Sequence, residues 1–245
     1  MPPVTLLALI FVVALVYASV GHGGASGYLA AMALIGNSPP AQMSTSALVL
    51  NVLVAGAAWL TFWRAGHGSF ALLWPFALTS IPAAALGGWL PVSAQLYRQL
   101  LAACLLVAAA RLCLRSLRDH ERPTAPPLAA ALPIGGLLGM VSGIVGVGGG
   151  IFLSPLMVLL RWADVKRTAA ISAAFIVLNS LAGLAGRLLA GRFQTGSMLP
   201  LVVAAFAGGL AGARLGAHHF SSLWLRRLLA VVLVVAAGKL ALTHG

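Results

Sequence analysis

Long apolar runs, separated by short polar breaks, make up most of the chain. Four fall in each half, at about 4–35, 44–63, 70–90 and 96–114, then at about 129–160, 168–189, 197–216 and 223–243. A helix needs about 17 to 25 apolar residues to cross a bilayer, and these runs are long enough. The pattern predicts an all-α polytopic membrane protein with no room for a soluble domain.

The two halves of the chain resemble each other. The stretch SVGHGGASGYL at 19–29 resembles IVGVGGGIFL at 144–153, and STSALVLN at 44–51 lines up with SAAFIVLN at 172–179. The matching positions stay about 125 to 128 residues apart, which predicts an internal repeat. We therefore expect a first transmembrane repeat, a charged proline-containing linker and a second transmembrane repeat, at 1–114, 115–127 and 128–245.

The first apolar segment of each repeat is unusually long. Its roughly 32 residues would form a helix of about 48 Å, against about 30 Å of hydrocarbon, and glycines interrupt it midway. Eight simple crossings divide the 15 Lys and Arg residues almost evenly between the two sides, whereas re-entrant first segments place eleven on one side. That bias favours a re-entrant or discontinuous helix. Each repeat then crosses three times, so the repeats are inverted, as in many transporters.

Composition and charge exclude several function classes. Charged residues make up 7% of the chain, against about 25% in soluble domains. The net charge of +12 comes from basic residues flanking apolar segments, which indicates a lipid bilayer and no nucleic acid. Asp119, Glu121 and Asp164 are the only carboxylates and lie in predicted loops, which disfavours a cation carrier. Catalytic and metal-binding motifs are absent, so we expect no enzyme, cofactor or metal.

The paired glycine clusters are the first candidate binding site. Glycine permits positive φ and lets a ligand approach backbone N–H groups, and a helix that starts after such a loop favours an anion. The alternative is that these glycines only allow close helix packing. The candidate residues are Gly23, Gly24, Gly146, Gly148, Gly149 and Gly150.

Polar residues on the following segments extend this candidate site. In each repeat a serine and an asparagine seven residues apart share a helix face, and hydroxyl and amide groups can donate to an oxyanion without a fixed charge. The alternative is a role in joining helices. The candidates are Ser44, Thr45, Ser46 and Asn51 in the first repeat, and Ser172 and Asn179 in the second.

Charged and titratable residues near the candidate site raise two further questions. Neutral donors are preferred because an arginine would hold a dianion too tightly to release it; contact of Arg187 or Arg214 with substrate would contradict this preference. His22 lies inside the first glycine cluster. It can carry a proton with the substrate or cap a helix.

The motifs GIVGVGGGIFLSPLMVLL (143–160), SVGHGGASGYLAAMALIG (19–36) and MSTSALVLN (43–51) resemble those of the sulfite exporter TauE/SafE family of bacterial membrane proteins. The resemblance covers nearly the whole chain. It implies a multi-pass transporter in the inner membrane for small sulfur-containing or carboxylated anions, such as sulfite and organosulfonates. The chain departs from the pattern at His22 and at AISAAF (170–175), which lacks the threonine of STSAL.

The function we expect is that of a secondary transporter exporting a small sulfur-containing oxyanion. Export is favoured because a membrane potential that is negative inside drives anions outward. Two alternatives remain open, namely a channel-like anion pore and a membrane scaffold whose glycines serve only packing. The expected partners are a small anionic substrate and the lipid bilayer, and both a monomer and a homodimer are compatible with the apolar helix surfaces.

Overall fold

A computed structural model describes residues 2–35, 38–113, 124–194 and 198–218. These residues form helices and connecting loops, without a strand, which confirms the predicted all-α class. Most of the linker, at 115–123, and the last apolar segment, at 223–243, lie outside the described residues. The helices are α1 Val4–Ala18, α2 Ala25–Ile35, α3 Pro40–Phe62, a π-helical turn Trp63–His67, α4 Phe70–Trp89, α5 Ala94–Cys113, α6 Leu128–Val145, α7 Gly150–Leu159, α8 Val165–Leu189 and α9 Leu199–His218.

Four helical stretches in the described part of the chain are long and apolar enough to cross a membrane. They are Pro40–His67, Phe70–Trp89, Leu128–Val145 and Lys166–Leu189. Local signals start several of them: Pro40 occupies the first turn of α3, and the Asp164 carboxylate caps α8 by accepting a hydrogen bond from the Arg167 backbone N–H at 2.8 Å. Helix positions therefore follow the apolar runs closely.

The long first segment of each half is divided into two helices at its glycines. In the first half, α1 ends at Ala18 and α2 begins at Ala25; in the second, α6 ends at Val145 and α7 begins at Gly150. The loops share left-handed glycines at two matching positions, because Gly21 and Gly24 have φ of 76° and 91°, and the matching Gly146 and Gly149 have 87° and 76°. Residues other than glycine rarely adopt this left-handed backbone conformation. The predicted interruption of both segments is present.

Glycines also bring helix backbones into direct contact. On α6, Gly135, Gly139 and Gly143 face the backbone of Phe76, Ser80 and Ala84 on α4, so that a Cβ at any of the three would collide with a carbonyl oxygen. On α9, Gly208 and Gly212 face the carbonyl oxygens of Phe11 and Leu15 on α1 in the same way. Small residues at four-residue spacing are how membrane helices pack closely.

Two helices, α3 and α8, occupy the centre of the molecule. They pack against each other, and α3 also contacts α9 while α8 contacts α4 and α6. In the most apolar window of α8, 78% of the residues are buried, compared with 33% in α4. Residues on several faces of α8 are thus covered by protein, and α3 and α8 carry all six serine, threonine and asparagine residues predicted for the site.

Candidate functional site

Asn51 lies between the two glycine loops. Its side chain is fully buried on α3, and its Nδ2 donates a hydrogen bond to the carbonyl oxygen of Val147 at 3.2 Å. A Cβ added at Gly23 would collide with Asn51 Oδ1, and one added at Gly148 would lie 2.6 Å from Asn51 Nδ2. One amide therefore contacts a loop from each half of the chain, which brings three predicted site residues together.

Each of the two loops leads directly into a helix. α2 starts directly after Gly24, and α7 starts after Gly149, which provides no side-chain cap. First-turn N–H groups have no acceptor within their own helix, and the helix dipole adds partial positive charge there. Helix N-termini of this kind can bind a small anion through backbone N–H groups.

A small cavity lies between the loops. Its volume is about 10 Å³, which is about the room that one water molecule needs. Both loops contribute to its walls; the lining residues are Tyr17, His22, Gly23, Gly24, Ala25, Ser26, Val147, Ile151 and Ile176. An oxyanion with four or more heavy atoms is too large for this space, so the cavity would have to widen to hold one.

His22 joins the first loop to the second half of the chain. Its Nδ1 lies 2.9 Å from the Val20 carbonyl oxygen, and its Nε2 lies 2.9 Å from Ser154 Oγ on α7. Because a carbonyl oxygen only accepts, Nδ1 carries a hydrogen. Ser154 Oγ also lies 2.7 Å from Ser172 Oγ, so predicted residues from both halves meet at Ser154. The sequence analysis missed Ser154; its signal was a hydroxyl four residues after Gly150 in an apolar helix.

Ser44 is bound to the end of α6 and to an arginine. Its hydroxyl donates to the Val145 carbonyl oxygen at 3.0 Å and accepts from Arg187 Nη2 at 2.5 Å. The same Nη2 donates to the carbonyl oxygens of Gly143 and Ile144, at 2.8 and 2.9 Å. Arg187, on α8, is 6% exposed. It was absent from the predicted site, although an arginine inside an apolar segment was a visible signal.

The remaining predicted side chains are also buried, but in other environments. Thr45 Oγ1 donates to the Ala41 carbonyl oxygen of its own helix at 2.8 Å, and Asn179 Nδ2 donates to that of Phe175 at 2.8 Å. Ser46 is buried on α3. The Oδ1 atoms of Asn51 and Asn179 are buried without a hydrogen-bond donor, so each asparagine uses its NH₂ group within the protein and keeps an open acceptor.

Several of the predicted glycines are required by close packing. A Cβ at Gly24 would lie 2.8 Å from the Tyr28 ring, and one at Gly149 would lie 2.8 Å from the Phe175 ring. At Gly150 it would lie 2.5 Å from Ile176, and at Gly146 it would lie 2.7 Å from Ser44 Oγ. A glycine can allow both close packing and the approach of a ligand. The structure shows close packing at each of these four positions.

The described residues hold no cluster of three or more His, Cys, Asp or Glu side chains that could bind a metal ion. The sequence model of the family described as "Sulfite exporter TauE/SafE" matches residues 6–240. A protein of Sinorhizobium fredii named "Probable membrane transporter protein y4hK" is 40% identical over 234 residues, which is 94% of each chain. No solved structure matches the chain significantly.

Proposed function

Because the chain belongs to the sulfite exporter TauE/SafE family, and is therefore a multi-pass membrane transporter rather than an enzyme, we propose that it exports a small sulfur-containing oxyanion across the bacterial inner membrane. Sulfite and organosulfonates are the substrate class. The observation that carries the proposal is the meeting of both glycine loops at Asn51. Broken helices that meet in the interior are the usual substrate site of secondary transporters.

The site has the chemistry that a small anion needs. Backbone N–H groups at the starts of α2 and α7 are donors, and the second N–H of the Asn51 amide adds one more. The buried Oδ1 of Asn51 accepts, which suits an anion that retains a proton or a water molecule. When the small cavity between the loops widens, these groups can replace the water molecules that hydrate the oxyanion.

The proposed mechanism is alternating exposure of this site by two inverted repeats. Its support is the packing of the helices. In the repeat, α1 corresponds to α6, α3 to α8 and α4 to α9. With this correspondence, the contact between α1 and α9 matches the contact between α6 and α4, and the contact between α4 and α8 matches the contact between α9 and α3. The proposal requires α1–α2 and α6–α7 to enter and leave the membrane on one side, although α6 is itself long enough to cross it. Each repeat then crosses an odd number of times, and the repeats face opposite sides.

Export follows from the direction of the electrical force. A potential that is negative inside favours outward movement of an anion by about 2.3 kcal/mol per charge per 100 mV. Outward transport of a monoanion needs no coupled ion under this force. Import would need one, and His22, which lines the cavity, is the residue placed to carry a proton.

Flux into proteoliposomes tests the proposal. Labelled sulfite, sulfate, taurine and acetate would be compared for wild type, Asn51→Ala and Ser80→Ala; Ser80 is a buried serine outside the glycine loops, on α4. We expect saturable uptake of sulfite or taurine by wild type and Ser80→Ala, and loss of uptake by folded Asn51→Ala. Uptake that rises linearly with concentration would indicate a pore. The absence of flux for all four compounds, with folded protein, would support the alternative of a membrane scaffold.

A further inference from the structure

Arg187 is a buried positive charge beside the second glycine loop. It lies close to the end of α8, where arginine side chains of membrane helices ordinarily extend to the interface. Its side chain turns inward instead and is only 6% exposed. An ionisable residue buried in a membrane protein is expensive and is expected to have a function.

No carboxylate among the described residues neutralises this arginine. Asp164 is the acidic residue in the described part of the chain, and it forms an ion pair with Arg167 at the other end of α8. The described partners of Arg187 are the Ser44 hydroxyl and two carbonyl oxygens of α6. Its Nε–H is buried without an acceptor, so the guanidinium retains a free donor as well as its charge.

Capping of α6 does not account for the charge. A cation at a helix C-terminus is favourable, but the gain is smaller than the cost of burying the ion. The equivalent end of α1 is closed by a neutral group, because the Ser19 hydroxyl donates to the Val16 carbonyl oxygen at 2.7 Å. A hydroxyl thus suffices at the corresponding helix end, and the charge of Arg187 remains to be explained.

Arg187 is directly connected to the proposed substrate site. Its partner Ser44 packs on Gly146, the first residue of the second loop, and lies two helical turns before Asn51 on α3. α6, whose last carbonyls bind the guanidinium, leads straight into the same loop. An anion that enters between the loop and α3 therefore comes within range of this charge.

We propose that Arg187 supplies the counter-charge for the transported anion and is the residue that makes the site select anions over neutral molecules of the same shape. The inference rests on the proposed function and deepens it. It replaces the sequence-based preference for neutral donors alone. The anion takes the free Nε–H donor and competes with the α6 carbonyl oxygens for the rest of the guanidinium, which loosens the contact between the loop and α3.

Equilibrium binding to the purified, full-length protein tests this role. The probes are labelled sulfite and methanesulfonate, with dimethyl sulfone as the neutral isostere of methanesulfonate. The variants are Arg187→Gln, Arg187→Lys and, as a matched control, Arg192→Gln. Arg192 also donates to the last carbonyl oxygens of a helix, those of Trp89 and Leu90 at the end of α4, but at a partly exposed position outside the loops.

We expect Arg187→Gln to raise the dissociation constant of both anions about tenfold or more, and to abolish the preference for methanesulfonate over dimethyl sulfone. Arg187→Lys should keep the preference, and Arg192→Gln should bind both anions as wild type does. Wild-type affinity in Arg187→Gln would overturn the inference, as would equal loss of preference in Arg187→Lys. A wild-type protein that binds neither anion would contradict the proposed function itself.

Discussion

Asn51 on α3 donates a hydrogen bond from Nδ2 to the carbonyl oxygen of Val147, in the glycine loop that divides α6 from α7. The two residues are 96 positions apart and belong to different halves of the chain. Because Asn51 also packs on Gly23, this one side chain connects both loops. A movement of either loop would change the surroundings of the same amide, which would couple the loops in the proposed alternating access.

Gly148→Ala should destabilise the contact between the second glycine loop and Asn51 on α3. The new Cβ would lie 2.6 Å from Asn51 Nδ2, at a residue with φ of 81°. Strain and collision together predict a loss of about 1 to 3 kcal/mol in the free energy of unfolding, and loss of flux. Gly56→Ala on α3 is the control, because no atom lies within 4 Å of its added Cβ. Titration with a denaturing detergent measures the free energy of unfolding of the two variants. Equal stability of Gly148→Ala and Gly56→Ala would contradict the prediction.

Ser44→Ala should cost more stability than Thr45→Val, although the two hydroxyls are adjacent. Ser44 binds Arg187 and the Val145 carbonyl oxygen across helices, whereas Thr45 bonds a carbonyl of its own helix. Loss of a partner to a buried charged group predicts a decrease of about 1 to 3 kcal/mol for Ser44→Ala, and less than about 1 kcal/mol for Thr45→Val. Chemical unfolding of both variants in the same detergent provides the comparison. The prediction fails if Thr45→Val is the less stable of the two.

Gly139→Ala should separate α4 from α6. The added Cβ would lie 2.6 Å from Ser80 Cα, whereas at Gly136, three residues earlier, the nearest atom outside the helix is Thr79 Cβ at 3.8 Å. Overpacking of a backbone contact predicts a loss of about 1 to 3 kcal/mol for Gly139→Ala. Gly136→Ala should be neutral or slightly stabilising, because alanine favours helix. Thermal unfolding in detergent distinguishes the two; similar melting temperatures would argue against tight α4–α6 packing.

His22→Ala should weaken methanesulfonate uptake. The His22 side chain lines the cavity, and its Nε2 lies 2.9 Å from Ser154 Oγ on α7, so its removal deletes a contact between the two halves of the chain. Loss of a hydrogen bond of about 0.5 to 1.5 kcal/mol predicts a rise in KM of about two- to tenfold. The readout is the KM for methanesulfonate at one fixed pH.

His67→Ala is the control for this variant. It should take up methanesulfonate as wild type does, because His67 lies in the π-helical turn after α3 and does not line the cavity. A wild-type KM in His22→Ala would contradict the prediction.

Local features of the fold could be predicted from the sequence. Helices follow the apolar runs, and both long segments break at their glycines, because these outcomes depend on neighbouring residues and backbone conformation. Gly66 and Gly191, which match in the two halves, both adopt positive φ after their long helices. The candidate residues Gly23 and Gly148 both contact Asn51, and His22 and Ser172 both contact Ser154.

Other contacts depended on the tertiary structure alone. Arg187 and Ser44 are 143 residues apart, and His22 and Ser154 are 132 apart. The helices of this chain are apolar around most of their circumference, so periodicity does not show which face turns inward. Composition and glycine spacing determined a helical membrane protein with two broken segments. The contact of Ser44 with both Arg187 and the end of α6 was decided by helix packing. The reason is that a charge removed from water bonds whichever polar groups the packed helices bring next to it.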